Sequence, residues 1–517
     1  MLNEENIIIK NPLEVDINLA SVYPNLYRTA MSSLGYQIIY GMVNAREDSF
    51  CERVIYPNHR SIETNTPLSE FDIVSFTIQY EQDYFNVLKI LKASNIPLKV
   101  EDRLNEKDNS YPLIIAGGPC ISSNPLPLAD FVDLFIIGEG EVVLDKFLDK
   151  FKTLNNPKKE IESFLDIEGI YLYDKLVKRM IVSDMDDAFH LNSPIVTKTD
   201  ESDFKPALGN SILLNVSRGC FRSCKFCMSG YLYRPMRETS LNKLLNTAID
   251  ARDKTGLNKI SLVAPSVSDY SQIDELSKKL LDLGFDISMP SLRIESITKE
   301  TLENLKESGA KSITLAPESI YTLRKRLNKD INDEKIFQVI EEAFKLNFNI
   351  KFYFLIGIPG ENMVSIEELV EYIKYINTLK NSITPKSKIK FSVNPLIPKS
   401  HTPFQWMGYD IKDIKKKIRL MKKELKNFDI KFDSPKMGLI QYVLSTKGRE
   451  IGELIQKSIP DILDKNNFDD LKIDIKQWNQ HSKGYKIEDD LPWKNIDIGI
   501  KESFFKKQYE QLLNDYD

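Results

Sequence analysis

Short apolar runs separated by amphipathic stretches recur along most of the 517-residue chain. In the first third, residues 17–22, 72–77, 112–116 and 134–137 read as strands. Residues 31–44, 83–94 and the stretch from 142 to 148 carry helical periodicity. Strands alternating with helices predict a Rossmann-like, flavodoxin-like parallel sheet domain over residues 1–165. Residues 166–210 are polar and turn-rich and read as a linker, with a short hairpin formed by 169–174 and 176–182. From 211 to 405, strand-like runs at 211–216, 259–264, 286–289, 312–316, 350–356 and 388–393 alternate with helical patterns. Gly284 and Gly309 sit where helix C-terminal caps belong, and Asn332-Asp333-Glu334 reads as a helix start. Six such units make a partial (β/α)6 barrel, in which chemistry belongs at the C-terminal ends of the strands. The remainder, 406–517, reads as a small α+β region. Ile411, Ile414, Ile418, Met421 and Leu425 set an amphipathic helix over 410–427. Its other face carries Lys412, Lys415, Lys416, Lys417, Lys422 and Lys423. It reads as a solvated face, with contact to an acidic partner or RNA as the alternative.

Composition narrows the class. The chain is 42% hydrophobic and 28% charged, as ordinary globular proteins are. A net charge of −5 gives no global basic field for nucleic acid. The polar, acidic start is no secretory signal, and no apolar run reaches the roughly 20 residues that span a membrane. Five cysteines in so long a chain do not make a disulfide framework, so a reducing, cytoplasmic compartment is expected.

Three of those cysteines fall within eight positions, Cys220-x3-Cys224-x2-Cys227, with Phe226 just before the last. They follow the first predicted barrel strand, at its chemically active end. A structural zinc site needs four ligands, and the nearest histidines are His190 and His401. Three thiolates with one open position suit an iron–sulfur cluster that leaves one iron free for a ligand. Cys51 and Cys120 are isolated and read as small buried apolar residues.

The strand ends of the first domain are glycine-rich. Gly117-Gly118-Pro119 and Gly138-Glu139-Gly140-Glu141 lie beyond the carboxyl ends of predicted strands, where such sheets bind ligands. They either let backbone approach a cofactor or serve as ordinary strand-to-helix turns.

With these pieces in place, the chain resembles radical SAM enzymes that carry a cobalamin-binding-like domain ahead of the barrel. The resemblance rests on Tyr23-Pro24, Met31-Ser32-x-Leu34-Gly35, Ser75-x3-Gln79-Tyr80-Glu81, the two glycine segments, and the cysteine motif with its Phe226. It extends to the barrel strand ends, and reaches Leu491-Pro492-Trp493 and Phe504-Phe505. It departs from the family in two places. The usual Gly-Gly-Glu after strand two is replaced by Ala264-Pro265-Ser266-Val267-Ser268-Asp269-Tyr270, a variant seen in cobalamin-linked members. The Asp-x-His-x-x-Gly segment that ligates cobalt from below is absent.

The resemblance implies a 4Fe-4S cluster on Cys220, Cys224 and Cys227, with S-adenosylmethionine chelated to the fourth iron and Phe226 beside its adenine. Ser266, Ser291, Arg293, Glu318 and Arg324 would contact its amino, carboxylate and ribose groups, the two arginines because guanidinium pairs with carboxylate in bidentate fashion. Gly357 and Pro359 would hold adenine through backbone. Cobalamin would lie against Ser75, Gln79, Gly117, Gly118, Pro119, Gly138, Glu139 and Gly140, with Tyr27 and Arg28 near its lower face.

The implied activity is C-methylation of an unactivated carbon through a 5'-deoxyadenosyl radical and methylcobalamin. The substrate is a small molecule, a lipid, or a residue of a protein such as methyl-coenzyme M reductase of methanogens. The implied partner is a low-potential electron donor of ferredoxin or flavodoxin type, with no membrane or nucleic acid. Two alternatives stand beside this reading: radical SAM chemistry of another type with a vestigial cobalamin domain, and a non-catalytic iron–sulfur or cobalamin sensor. The chain lacks the second three-cysteine cluster expected of methylthiotransferases.

Overall fold

Six strands form the first sheet of the computed structural model, which describes residues 3–104, 111–199, 201–461 and 470–514. They are β1 (Ile17–Tyr23), β2 (Ser49–Ile55), β3 (Ile73–Thr77), β4 (Leu113–Gly117), β5 (Leu134–Ile136) and β6 (Ile170–Tyr171). Their order is β2-β1-β3-β4-β5-β6, parallel throughout except for the last pair. The parallel part has the flavodoxin-like order, as the alternating pattern predicts. Both faces are covered, so apolar residues run continuously along each strand. Val22, Val74, Phe76 and Ile114 pack on one face, and Leu19, Ile73, Ile115 and Leu134 on the other.

Strand β2 is missing from the sequence reading because Glu52 and Arg53 interrupt its apolar run. Both are buried: Arg53 pairs with Glu4 and Glu63 at 2.6 Å each, and Glu52 accepts from Thr64. The expected hairpin over 169–182 does not form. Ile170–Tyr171 joins β5 instead, which carries this sheet past residue 165, and Val177–Lys178 pairs in parallel with Ile496–Asp497 near the C-terminus. The would-be linker is therefore built into both halves of the molecule.

The barrel contains all six expected strands: β7 (Ile212–Asn215), β8 (Lys259–Val263), β9 (Asp286–Ser288), β10 (Ser312–Glu318), β11 (Asn349–Ile356) and β12 (Ile389–Pro395). A seventh, β13 (Ile430–Phe432), extends it past residue 405. All pair in parallel, as one ladder of β7-β8-β9 and another of β10-β11-β12-β13. Gly284 and Gly309 adopt positive φ at helix ends, and Asn332 caps Asp333–Lys345 by accepting from the Lys335 N–H. The helix Ile411–Glu424 buries Ile411, Ile414, Ile418 and Met421. Lys417 leaves the expected solvated face: it lies three residues from Ile414 on the buried stripe and pairs with Glu361 at 2.9 Å. Among the described residues no helix is long and apolar enough to cross a membrane.

One hydrophobic core runs from Val74 and Phe76 of the first sheet through Leu214 and Leu262 of the barrel to Trp478 and Phe505. It sets the C-terminal edge of the first sheet against the mouth of the barrel.

Candidate active site

The cysteines occupy a loop between the short strand Ser217–Arg218 and the helix Met228–Leu232. Gly219 enters it with φ 80, and a Cβ there would lie 2.4 Å from the carbonyl oxygens of Tyr233 and Pro235, so only glycine fits. Donors from outside hold the loop's carbonyls. Arg234 donates to the Arg222 oxygen at 3.0 Å and, in the helix that follows, to that of Gly230 at 2.9 Å, and Asn328 and Tyr231 donate to that of Ser223. The Lys225 N–H reaches Leu327 O at 2.9 Å. Phe505 packs edge-on against Tyr231 at 5.3 Å, so the C-terminal helix braces the loop from behind.

Cys220, Cys224 and Cys227 line one pocket of about 300 Å³ with Ser266, Ser291, Arg293 and Lys329. No fourth sulfur or imidazole is in the lining, so the donor set is three thiols with room beside them, which fits a cluster with one open iron. Burial, reinforced by the neighbouring Cys224, pushes the Cys227 thiol up to about 11. Metal binding to such a thiol releases a proton.

The strand ends shape the rest of this pocket. Ser291 Oγ donates to Pro265 O at 2.8 Å. In β10, Leu315 faces Phe352 and Glu318 faces Phe354, so one extra residue bulges at Ala316-Pro317. Glu318 follows with φ 66 and accepts from Lys329 Nζ at 2.8 Å. Nothing in the sequence gives Lys329 a role, since no local signal marks one lysine of this lysine-rich chain as facing inward.

A second cavity, of about 320 Å³, lies between the first sheet and the barrel mouth. Ser75, Gln79, Gly117, Gly118, Pro119, Gly138, Glu139 and Gly140 all line it, from the sheet side. Leu34, Gly35, Ile38 and Ile39 add an apolar wall from the helix Leu34–Ala45, and Asn215, Ser217, Arg218 and Val263 close it from the barrel. Pro265 lines both this cavity and the cysteine pocket, so the two are neighbours across one residue. Two observations fit a bulky ligand here. A Cβ on Gly35 would meet nothing within 4 Å, and the buried Ser217 Oγ has no hydrogen-bond partner. The lining contains no histidine.

Glu139 serves a different purpose from the glycines around it. It pairs with Arg237 at 2.8 Å and Arg218 at 3.2 Å and accepts from the Val182 N–H at 2.8 Å. Burial opposes its ionisation, but the Arg237 hydrogen bond and the two arginine charges prevail and hold the carboxyl below the usual range.

Several expected site residues lie elsewhere. Tyr27 is buried, with its hydroxyl on Glu4 and Thr197, and Arg28 is exposed and donates to Lys205 O at 3.2 Å; neither lines the cavity. Arg324 is fully buried and donates to Ser319 O, Ile331 O and Asp333, so its guanidinium is spent on the chain turn after β10. Arg293 does line the cysteine pocket, but with its Nη1 on Cys224 Sγ, 3.3 Å away. Phe226 packs against the main core. The Gly357 N–H is taken by Glu361 at 2.6 Å and Pro359 O by Arg326, and neither residue lines the cysteine pocket. Cys51 and Cys120 are buried, as expected.

A family model described as the radical SAM superfamily matches residues 214–373, and one for the N-terminal part of radical SAM proteins matches 35–172. The uncharacterized protein MJ0966 of Methanocaldococcus jannaschii is 34% identical over 426 residues, 80% of this chain and 85% of that protein. The cytidylyl-2-hydroxyethylphosphonate methyltransferase of Streptomyces wedmorensis is 27% identical over 164 residues, 30% of this chain and 31% of its own. Among solved structures, the cobalamin-dependent S-adenosylmethionine radical enzyme OxsB matches with TM-score 0.50 at 14% identity, over 80% of this chain and 62% of that one, a likeness of fold. The chain belongs to the radical SAM superfamily, whose cofactors are a 4Fe-4S cluster and S-adenosylmethionine.

Proposed function

We propose that this protein is a cobalamin-dependent radical SAM C-methyltransferase acting on an unactivated carbon. The observation that carries the reading is the shared wall at Pro265: the cavity at the ligand edge of the first sheet opens beside the cysteine pocket. Methyltransferase activity in the Streptomyces relative supports it.

Cys220, Cys224 and Cys227 hold the cluster. Ser266, Ser291 and the Lys329–Glu318 pair are placed to orient the polar end of S-adenosylmethionine in the same pocket. The apolar wall of Leu34, Ile38 and Ile39 and the glycine edge opposite would hold the corrinoid and exclude water from the reacting carbon. When bound, these groups supply a 5'-deoxyadenosyl radical that takes a hydrogen atom from substrate carbon and a methyl group that replaces it. The electrons come from an external low-potential donor. Phe221, 56% exposed and next to Cys220, with the Arg222 guanidinium 4.7 Å over its ring, marks the surface where that donor would approach.

The test is anaerobic. The full chain is purified with cobalamin supplied and reconstituted with iron and sulfide. Its optical spectrum is recorded, and deuteromethyl label is followed from S-adenosylmethionine. Bound cobalamin, 5'-deoxyadenosine and label on an acceptor are expected, and methyl-coenzyme M reductase as acceptor tests a protein substrate. Enzyme that retains no cobalamin would sink methyl transfer. Absence of 5'-deoxyadenosine under strong reductant would sink radical chemistry altogether.

A further inference from the structure

Arg293 joins a carboxylate to one of the three cysteines. Its Nη1 donates to Cys224 Sγ at 3.3 Å, while Nε and Nη2 are both held by Glu295, at 2.8 and 2.6 Å. The backbone is fixed as well: the Arg293 N–H donates to Ser268 Oγ at 2.8 Å, and Ser296 Oγ donates to the same hydroxyl at 3.0 Å. Both side chains are largely shielded, Arg293 at 13% and Glu295 at 18% exposure. Glu295 Oε1 thus holds the Nε–Nη2 edge of the guanidinium, and Nη1, on its other side, is turned to the thiol of Cys224.

We propose that Arg293 is a positioning residue for the cluster's electrons: its N–H on the Cys224 thiolate sets the reduction potential, and Glu295 sets how strongly. A hydrogen bond to a ligand sulfur and a nearby positive charge both favour the electron-rich, reduced cluster, and so raise its potential. Glu295 opposes this by placing a negative charge behind the guanidinium. The pair therefore holds the cluster within reach of an external donor while leaving it reducing enough to break a sulfonium C–S bond. This assigns Arg293 to the cluster rather than to the S-adenosylmethionine carboxylate that the sequence suggests. It rests on Cys224 being a cluster ligand.

The experiment is a potentiometric titration of reconstituted full-length wild type, R293Q, R293K and E295Q, without S-adenosylmethionine. The reduced cluster is read by electron paramagnetic resonance, with iron content and far-UV circular dichroism measured on each sample. Expected is a potential lower by about 59 mV in R293Q, meaning tenfold less reduced cluster at a fixed applied potential. E295Q is expected to shift the opposite way, and R293K to fall between R293Q and wild type. If R293Q takes up no iron, R293K and E295Q carry the comparison, since both keep the packing. Unchanged potentials in the variants that hold a cluster overturn the proposal. Unchanged potentials, with S-adenosylmethionine affinity weakened in a separate equilibrium dialysis of the same samples, return Arg293 to the carboxylate contact. Wild type that takes up no iron overturns the ligand assignment beneath, a failure distinct from a cluster whose potential ignores Arg293.

Discussion

Arg218 reaches from the start of the cysteine loop into the first domain and forms a two-armed ion pair with Glu141, at 2.6 and 2.7 Å. Both residues line the interdomain cavity, and Arg218 lies two positions before Cys220. The pair thus ties the cysteine loop to the glycine edge opposite. Glu141→Gln leaves Arg218 with Glu139, 3.2 Å away, as its ion-pair partner beside the Asn215 Oδ1 acceptor at 2.7 Å, and should cost roughly 2 kcal/mol, less than full loss of a buried partner. The urea midpoint and the cobalamin retained on purification should fall together. A midpoint equal to wild type would make the pair an exposed one in effect.

Gly35 offers a test of the cavity itself. It is the second residue of the helix Leu34–Ala45, and a Cβ there meets nothing within 4 Å. Gly35→Ala should leave thermal stability unchanged or raise it by up to about 1 kcal/mol, because alanine loses less backbone entropy in a helix. Gly35→Leu should fold equally well but fill ligand space. Cobalamin content is expected to drop at least tenfold, with iron content and 5'-deoxyadenosine formation retained. Full cobalamin occupancy in Gly35→Leu would place the corrinoid elsewhere.

What the sequence reveals here follows from how local each requirement is. The cysteine motif and the glycine segments are legible because a loop gripping a cluster, or a backbone approaching a cofactor, needs those residues within a few positions of each other. That the first sheet is parallel with helices on both faces follows from alternation. Side chains with long reach are not legible. Arg293 and Arg324 both follow barrel strands and carry the same group, yet one ends on a cysteine and the other on Ser319, Ile331 and Asp333. Only tertiary packing separates them. Partnerships across great sequence distance are equally hidden: nothing near Val177 announces that it pairs with Ile496. β2 is hidden for a third reason, since its buried charges are neutralised by residues outside the strand, Glu4 and Glu63 for Arg53 and Thr64 for Glu52.

Arg324 should behave as a structural residue. Arg324→Ala strips three acceptors of a buried donor, at about 1 kcal/mol each, so a loss of roughly 3 kcal/mol is expected in urea unfolding. Arg324→Lys should recover only part of it, since an ammonium cannot reproduce the fork. S-adenosylmethionine affinity, measured per folded molecule by equilibrium dialysis, should match wild type in both. A selective loss of that affinity in a stable Arg324→Lys would put the guanidinium back in the substrate pocket.

Asp83 gives the fold a pH dependence of definite sign. It is buried beside β3, with Oδ1 accepting from Asn25 Nδ2 at 2.7 Å. Burial pushes its carboxyl up to about 7, against the Asn25 hydrogen bond and with help from the Glu81 charge. The other groups facing it are Tyr23, Tyr80, Tyr84 and Cys120, and Glu81 is itself paired with Lys399 at 2.5 Å. In the unfolded chain an aspartate titrates near 4. Between the unfolded value and about 7 the folded state therefore keeps a proton that the unfolded state has released, so stability falls as pH rises across that window. At 1.36 kcal/mol per unit the full effect is up to about 4 kcal/mol. Asp83→Asn keeps the acceptor for Asn25 and removes the titration. Its urea midpoint should match wild type near pH 4, exceed it by a margin that widens up to about pH 7, and keep that margin above it. Parallel midpoints for the two proteins across that range would mean that Asp83 ionises freely in the folded state.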